Sequence, residues 1–140
     1  MRSVLLAALI SFAFTVPAAA AKSVVARVDL SEQKMRVIVD GEVAHEWAVS
    51  TGRGRYRTPT GSFRPYRMHK RYFSKKYHGA PMPYSVFYHR GYAIHGTTEI
   101  KKLGRPASHG CVRLHPDNAR KLFTLIKRVG PKATRIRIVN

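Results

Sequence analysis

One cysteine stands in the whole chain, Cys111, inside Ser108-His109-Gly110-Cys111-Val112-Arg113. The chain also begins like an exported protein, a class in which small domains often lean on disulfides. With a single thiol no internal bridge can form, so the fold must rest on a hydrophobic core alone. The thiol itself is then buried filler, half of an intermolecular bridge, or a nucleophile. Two histidines in glycine-bearing segments, His95 in Ile94-His95-Gly96-Thr97 and His109 beside the thiol, favour the nucleophile.

The opening residues carry the marks of a secretory leader. Arg2 supplies a positive start, Val4 to Val16 is uncharged and apolar-biased, and Pro17 precedes Ala18-Ala19-Ala20-Ala21, a small-residue cleavage site. The apolar stretch is shorter than the ~20 residues a spanning helix needs. Residues 1–21 are therefore expected to be a signal peptide, and 22–140 a single domain. The protein is expected in the periplasm or cell-wall space and not as an integral membrane protein. No later segment is apolar for long enough to cross a bilayer.

Charge is the other strong bias. The chain has 26 Lys and Arg against 7 Asp and Glu, a formal net charge of +19. Only Arg2 lies in the leader, so about +18 remains on the domain. Such an excess attracts polyanions. For an exported chain the candidates are anionic envelope polymers; export argues against nucleic acid. The cations are spread along the sequence rather than gathered in one tail.

Strand-like patterns dominate the rest. Val24 to Leu30 and Met35 to Asp40 flank a polar Ser31-Glu32-Gln33-Lys34 turn, and Asp40-Gly41 is a type I′ hairpin signal leading into a strand through Val43, Trp47 and Val49. Thr58-Pro59-Thr60-Gly61 marks a turn. Met68 to Pro83 reads as a long aromatic and basic loop, a candidate lid over a site. Strands return at Tyr84 to Tyr88 and at Tyr92-Ala93-Ile94, the latter delivering His95 at its end. One helix follows the cysteine: Pro116 and Asp117 suit its first turn, Ala119, Leu122, Phe123 and Ile126 share a face, and Gly130-Pro131 ends it. Arg135-Ile136-Arg137-Ile138 alternates as a final strand. The expected fold class is mainly β, a sandwich or open barrel with one helix.

A thiol attacks carbonyls as thiolate, and at pKa ~8.5 it is mostly protonated at neutral pH. A nearby imidazole can take that proton and return it to a leaving amine. His95 and His109 are both candidates by residue type. Gly110 permits a tight turn, so the Gly110 and Cys111 amides are candidate oxyanion donors. Arg113 is a candidate holder of a substrate carboxylate. Neither motif contains an acid, and Glu99 is the nearest. One Cys with scattered His does not have zinc-type spacing, so no metal is expected. His45, His69, His78, His89 and His115 lack comparable context and are expected at the surface.

The stretch from Ile94 to Arg113 resembles the signature of L,D-transpeptidases with the YkuD-type catalytic domain: a His-Gly pair, a gap, then Ser/Thr-His-Gly-Cys. Ser50-Thr51-Gly52, Thr58-Pro59-Thr60-Gly61-Ser62-Phe63, Met82-Pro83-Tyr84 and Tyr92-Ala93-Ile94 extend the likeness over nearly all of residues 22–140. The resemblance implies a β-sandwich with the thiol in a groove and no cofactor. It implies acyl transfer at the diaminopimelate–D-Ala bond of tetrapeptide stems of peptidoglycan. The acyl group would pass to an amine, whether a second diaminopimelate, a lipoprotein lysine or a D-amino acid. Alternatives of the same chemistry are an L,D-carboxypeptidase or an amidase that uses water; a non-enzymatic polyanion-binding envelope protein is the remaining one. Carried onto this chain, the resemblance makes Cys111 the nucleophile, His95 the general base and Gly96 its backbone orienter. His109 and Gly110 would form the oxyanion hole or shape the site; Arg113, Ser108 and Tyr84 would contact substrate.

Overall fold

The computed structural model of the protein describes residues 12–17 and 19–140, so much of the expected leader lies outside the described residues. Among the described residues no helix is long and apolar enough to cross a membrane. The described residues form two sheets and one α-helix. The first sheet contains β1 (Val24–Asp29), β2 (Lys34–Val39), β3 (Glu42–Ala48), β4 (Gly61–Phe63) and the C-terminal β9 (Thr134–Val139), in the order β3-β2-β1-β9-β4. The second contains β5 (Arg67–His69), β6 (Ser85–His89), β7 (Tyr92–Gly96) and β8 (Val112–Leu114), in that order. The helix α1 spans Pro116–Val129. The mainly β expectation holds.

Alternation builds the core. In β1, Val24, Ala26 and Val28 are fully buried, while the residues between them are half-buried. In β9, Thr134, Ile136 and Ile138 point inward and Arg135 and Arg137 outward. Met35 and Val37 add to this face from β2, and Val86, Tyr88, Ile94, Val112 and Leu114 meet it from the second sheet. The helix closes the same cluster with Ala119, Leu122 and Ile126. The two sheets and the helix thus share one core. That is how about 120 residues reach sufficient apolar burial without a disulfide.

Local signals act where expected. Asp40 (φ 49) and Gly41 (φ 85) both take positive φ between β2 and β3, the dihedrals of a type I′ turn. Asp40 Oδ1 also accepts from the Lys22 and Ser23 amides, tethering the start of the domain to that hairpin. Gly130 (φ 86) ends α1 and donates its amide to the Ile126 carbonyl.

Two short strands are added to the expected set, and two expectations are corrected. Residues 61–69 contain β4 and β5, three residues each, which exist because β9 and β6 offer them open edges to pair with. The expected loop 68–83 begins inside β5, and its two arms are joined by a bridge between Phe73 and Pro81. Tyr84 does not open a strand: its φ is 54, its amide donates to the Lys70 carbonyl, and β6 starts one residue later.

Candidate active site

Cys111 reaches its position through strand pairing on both sides. On one side β8 pairs in parallel with β7, setting Ile94 opposite Val112 and His95 opposite Arg113. On the other, residues 50–53 run alongside: the Ser108 amide donates to the Thr51 carbonyl, Arg53 to Ser108, and Ser50 and Arg113 exchange both bonds. Side chains alternate across β7 and β8. Ile94, Val112 and Leu114 enter the shared core, while Ala93, His95, Cys111 and Arg113 face the other way. Cys111 precedes Arg113, the partner of His95, by two positions and so shares its face. His95, His109, Cys111 and Arg113 all line one pocket of about 320 Å³. Residues 74–82 roof it through Ser74, Tyr77, Pro81 and Met82.

The His95 ring is oriented by the backbone. His95 is only 6% exposed, and its Nδ1 lies 2.7 Å from the Gly96 carbonyl oxygen. A carbonyl only accepts, so Nδ1 carries the hydrogen and Nε2 is left with a free lone pair. Burial pushes the His95 pKa down to about 4, against the opposing pull of that Gly96 bond and with help from the Arg113 charge. At neutral pH the ring is therefore a neutral base. Gly96 is closely packed: a Cβ would sit 3.1 Å from Pro116 Cα and from Pro83 Cγ, so its neighbours would have to give by a few tenths of an ångström.

The thiol is likewise held neutral at rest. It packs against a small cluster of Met82, Phe87 and Ala93. Burial pushes its pKa up, while the Ala93 backbone, Arg113 and Lys76 pull it down. A neutral thiol and a neutral imidazole that line one pocket can exchange a proton without first forming an ion pair.

The cysteine turn is built from residues that spend their polar atoms on one another. Ser108 Oγ donates to the Cys111 carbonyl at 2.6 Å and accepts the Gly110 amide at 3.0 Å. Thr58 Oγ1 donates to the Gly110 carbonyl at 2.8 Å and accepts the Gly52 amide at 3.0 Å. Gly110 has φ 123, and a Cβ there would lie 2.5 Å from the Tyr92 ring. Two expectations change as a result. The Gly110 amide is engaged by Ser108 and is not a free oxyanion donor, although the glycine does shape the turn. Ser108 lines the pocket, but its hydroxyl is committed to that turn rather than free for substrate.

Arg113 lines the pocket and donates to Glu99 at 2.9 Å. Glu99, the nearest acid in sequence, thus serves Arg113 and Lys102 instead of orienting His95. Tyr84 is not at the pocket; its ring packs edge-on to Phe123 of α1, centroids 5.6 Å apart. His109 is held between two rings, stacked on Tyr77 at 4.7 Å and edge-on to Tyr56 at 4.7 Å. His115, expected as a plain surface residue, accepts the Asp117 amide at the start of α1. Sequence reading missed Ser74, Tyr77 and Thr97 at the pocket. Only the aromatic content of the 68–83 segment pointed toward the roof.

The L,D-transpeptidase catalytic domain (YkuD) matches residues 23–138. Among curated proteins, YqjB of Bacillus subtilis, named as a candidate L,D-transpeptidase, is 30% identical over 120 residues, covering 76% of this chain and 66% of that protein. Among solved structures, an L,D-transpeptidase from Stackebrandtia nassauensis is 28% identical with a TM-score of 0.73, covering 85% of this chain and 56% of that one. One from Mycobacterium smegmatis, 23% identical, has the same fold at a TM-score of 0.74 over 86% of this chain and 59% of that one. The chain thus spans two thirds or less of the length of these relatives. Matched over nearly all of its strands and helix, the chain belongs to the L,D-transpeptidase catalytic-domain family.

Proposed function

We propose that this protein is an exported peptidoglycan L,D-transpeptidase, acting in the periplasm or cell-wall space after loss of residues 1–21. The reading is carried by one observation: His95 and Cys111 share a face across the β7–β8 pair, with His95 Nδ1 tied to the Gly96 carbonyl. Cys111 is the nucleophile. As its sulfur bonds the diaminopimelate carbonyl carbon, its proton passes to His95 Nε2. The tetrahedral oxyanion takes backbone donors from His109 and Cys111, because the Gly110 amide is already bonded. Collapse breaks the bond to D-alanine, whose nitrogen leaves with the proton from His95. An amine then attacks the thioester, gives its proton to His95, and the sulfur departs to be reprotonated. Arg113, one edge held by Glu99, turns the rest of its guanidinium to a substrate carboxylate.

The test is product analysis on defined tetrapeptide stems with and without a diaminopimelate-bearing acceptor. A mass equal to donor plus acceptor minus D-alanine supports transfer, whereas tripeptide alone identifies water as the acceptor. C111A should lower turnover by a factor on the order of 10⁴ or more while leaving the unfolding transition near wild type. Full turnover by C111A would sink the mechanism. A carbapenem should acylate the wild-type thiol and leave C111A unmodified, read as one added mass.

A further inference from the structure

A second groove lies between α1 and the edge strand β3, sharing no residue with the Cys111 pocket. Its volume is about 350 Å³, similar to that of the pocket itself. Arg120, Lys121, Thr124 and Arg128 line it from the helix and His45 from the strand, with the half-buried Leu125 at its base. Arg120, Thr124 and Arg128 follow one another at four-residue intervals along one helix face, which sets the two arginines ~12 Å apart along the axis.

The charge of this groove is unbalanced. Among the described residues, no ion pair involves Arg120, Lys121 or Arg128. Glu46, next to His45 in β3, pairs with Lys34 and Arg36. Asp117, one turn before Lys121, lies against His115. Three exposed cations held together along a concave wall, without a counter-charge, repel one another unless an anion sits among them. Outer-face cations such as Arg135 and Arg137 on β9 are not part of this groove.

We propose that the α1–β3 groove binds a linear polyanion built of repeating phosphate groups, with successive phosphates on Arg128, Thr124 and Arg120–Lys121. Arginine forks, a lysine and a hydroxyl together offer more donors than a lone carboxylate can use, and phosphate oxygens suit them. The four-residue spacing of Arg120, Thr124 and Arg128 along the helix suits a chain of repeating anionic groups laid along the axis. This goes beyond the catalytic reading and does not depend on it, since the groove would hold the enzyme near polymer whatever the Cys111 pocket does.

The experiment compares wild type, R120Q/R128Q and the charge-matched R135Q/R137Q, titrated with long-chain polyphosphate, polyglutamate and phosphatidylglycerol vesicles at fixed salt. We expect R120Q/R128Q to weaken polyphosphate binding at least tenfold and R135Q/R137Q no more than about threefold, with polyglutamate bound more weakly throughout. Turnover of soluble stem peptide should be unchanged in both variants, which separates this outcome from any failure of the catalytic proposal. Equal losses in the two variants would show attraction by net charge alone and overturn the site. Polyglutamate bound as tightly as polyphosphate would overturn the phosphate assignment. Vesicle binding that needs Arg120 and Arg128 as much as polyphosphate does would replace the polymer with a membrane.

Discussion

At the scale of single residues, burial keeps both His95 and Cys111 neutral, as the proposed mechanism requires. His95, with its pKa at about 4, stays largely unprotonated at pH 5, where an ordinary imidazole is mostly charged. Protonation removes the base, so kcat/KM should fall only as pH drops through about 4, with no acid limb near 6.5. A pH–rate profile with its acid midpoint near 6.5 would contradict this. The same depression links to stability. The unfolded chain takes up a proton at His95 near pH 6.5, the folded one only near 4, so this residue's contribution is lost as pH falls across that window. Gly110 is constrained twice, by φ 123 and by the Tyr92 ring 2.5 Å from any Cβ. Gly110→Ala should cost about 1–3 kcal/mol in denaturant unfolding and also lower turnover, because Cys111 follows directly. Wild-type values for both would sink this account of the turn.

At the scale of elements, the roof over the pocket is held by aromatic contact and a few backbone bonds. Ser74 accepts the Gly79 amide through its carbonyl and the Tyr77 amide through its hydroxyl, and Tyr77 stacks on His109. Stacked rings contribute about 0.5–1.5 kcal/mol beyond the area they bury. Tyr77→Ala should therefore loosen residues 74–80, speeding their amide hydrogen exchange. It should raise KM several-fold with a smaller change in kcat, since Tyr77 holds the roof and takes no part in the proposed proton transfer. An unchanged KM with unchanged exchange would mean that the roof is held by its backbone alone. His109 belongs to this clamp as much as to the catalytic turn, a role its place beside the thiol in sequence did not suggest.

At the scale of the whole molecule, charge and core pull against each other. A chain with net charge +19 folds against its own repulsion, and its seven acids neutralise only a few cations locally. Screening shortens the reach of that repulsion from ~30 Å at 0.01 M salt to ~6 Å at 0.3 M. The thermal midpoint should therefore rise by several degrees between 0.01 and 0.3 M sodium chloride. A falling midpoint would mean that the surface ion pairs outweigh the repulsion. The cohesive side is the shared core, to which both sheets and α1 contribute fully buried side chains.

Wherever periodicity ran for six or more residues, the chain's own order sufficed. β1, β2, β9 and α1 are legible because burial of one face is written into local alternation or helical spacing, and Asp40-Gly41 and Gly130 punctuate them. The His95-Gly96 and Gly110-Cys111 segments, whose histidine and cysteine line one pocket, were also readable as segments of interest. What the chain order could not contain was pairing between distant segments. β4 and β5 are too short to carry a pattern and form only on edges supplied by β9 and β6. The commitment of Ser108 and the Gly110 amide to the cysteine turn, the removal of Tyr84 to α1, and the meeting of α1 with His45 around a cationic groove are all three-dimensional outcomes. Local preference acts over a few residues. Which polar atoms remain free, and which charges are brought together, is settled only when remote strands choose their neighbours.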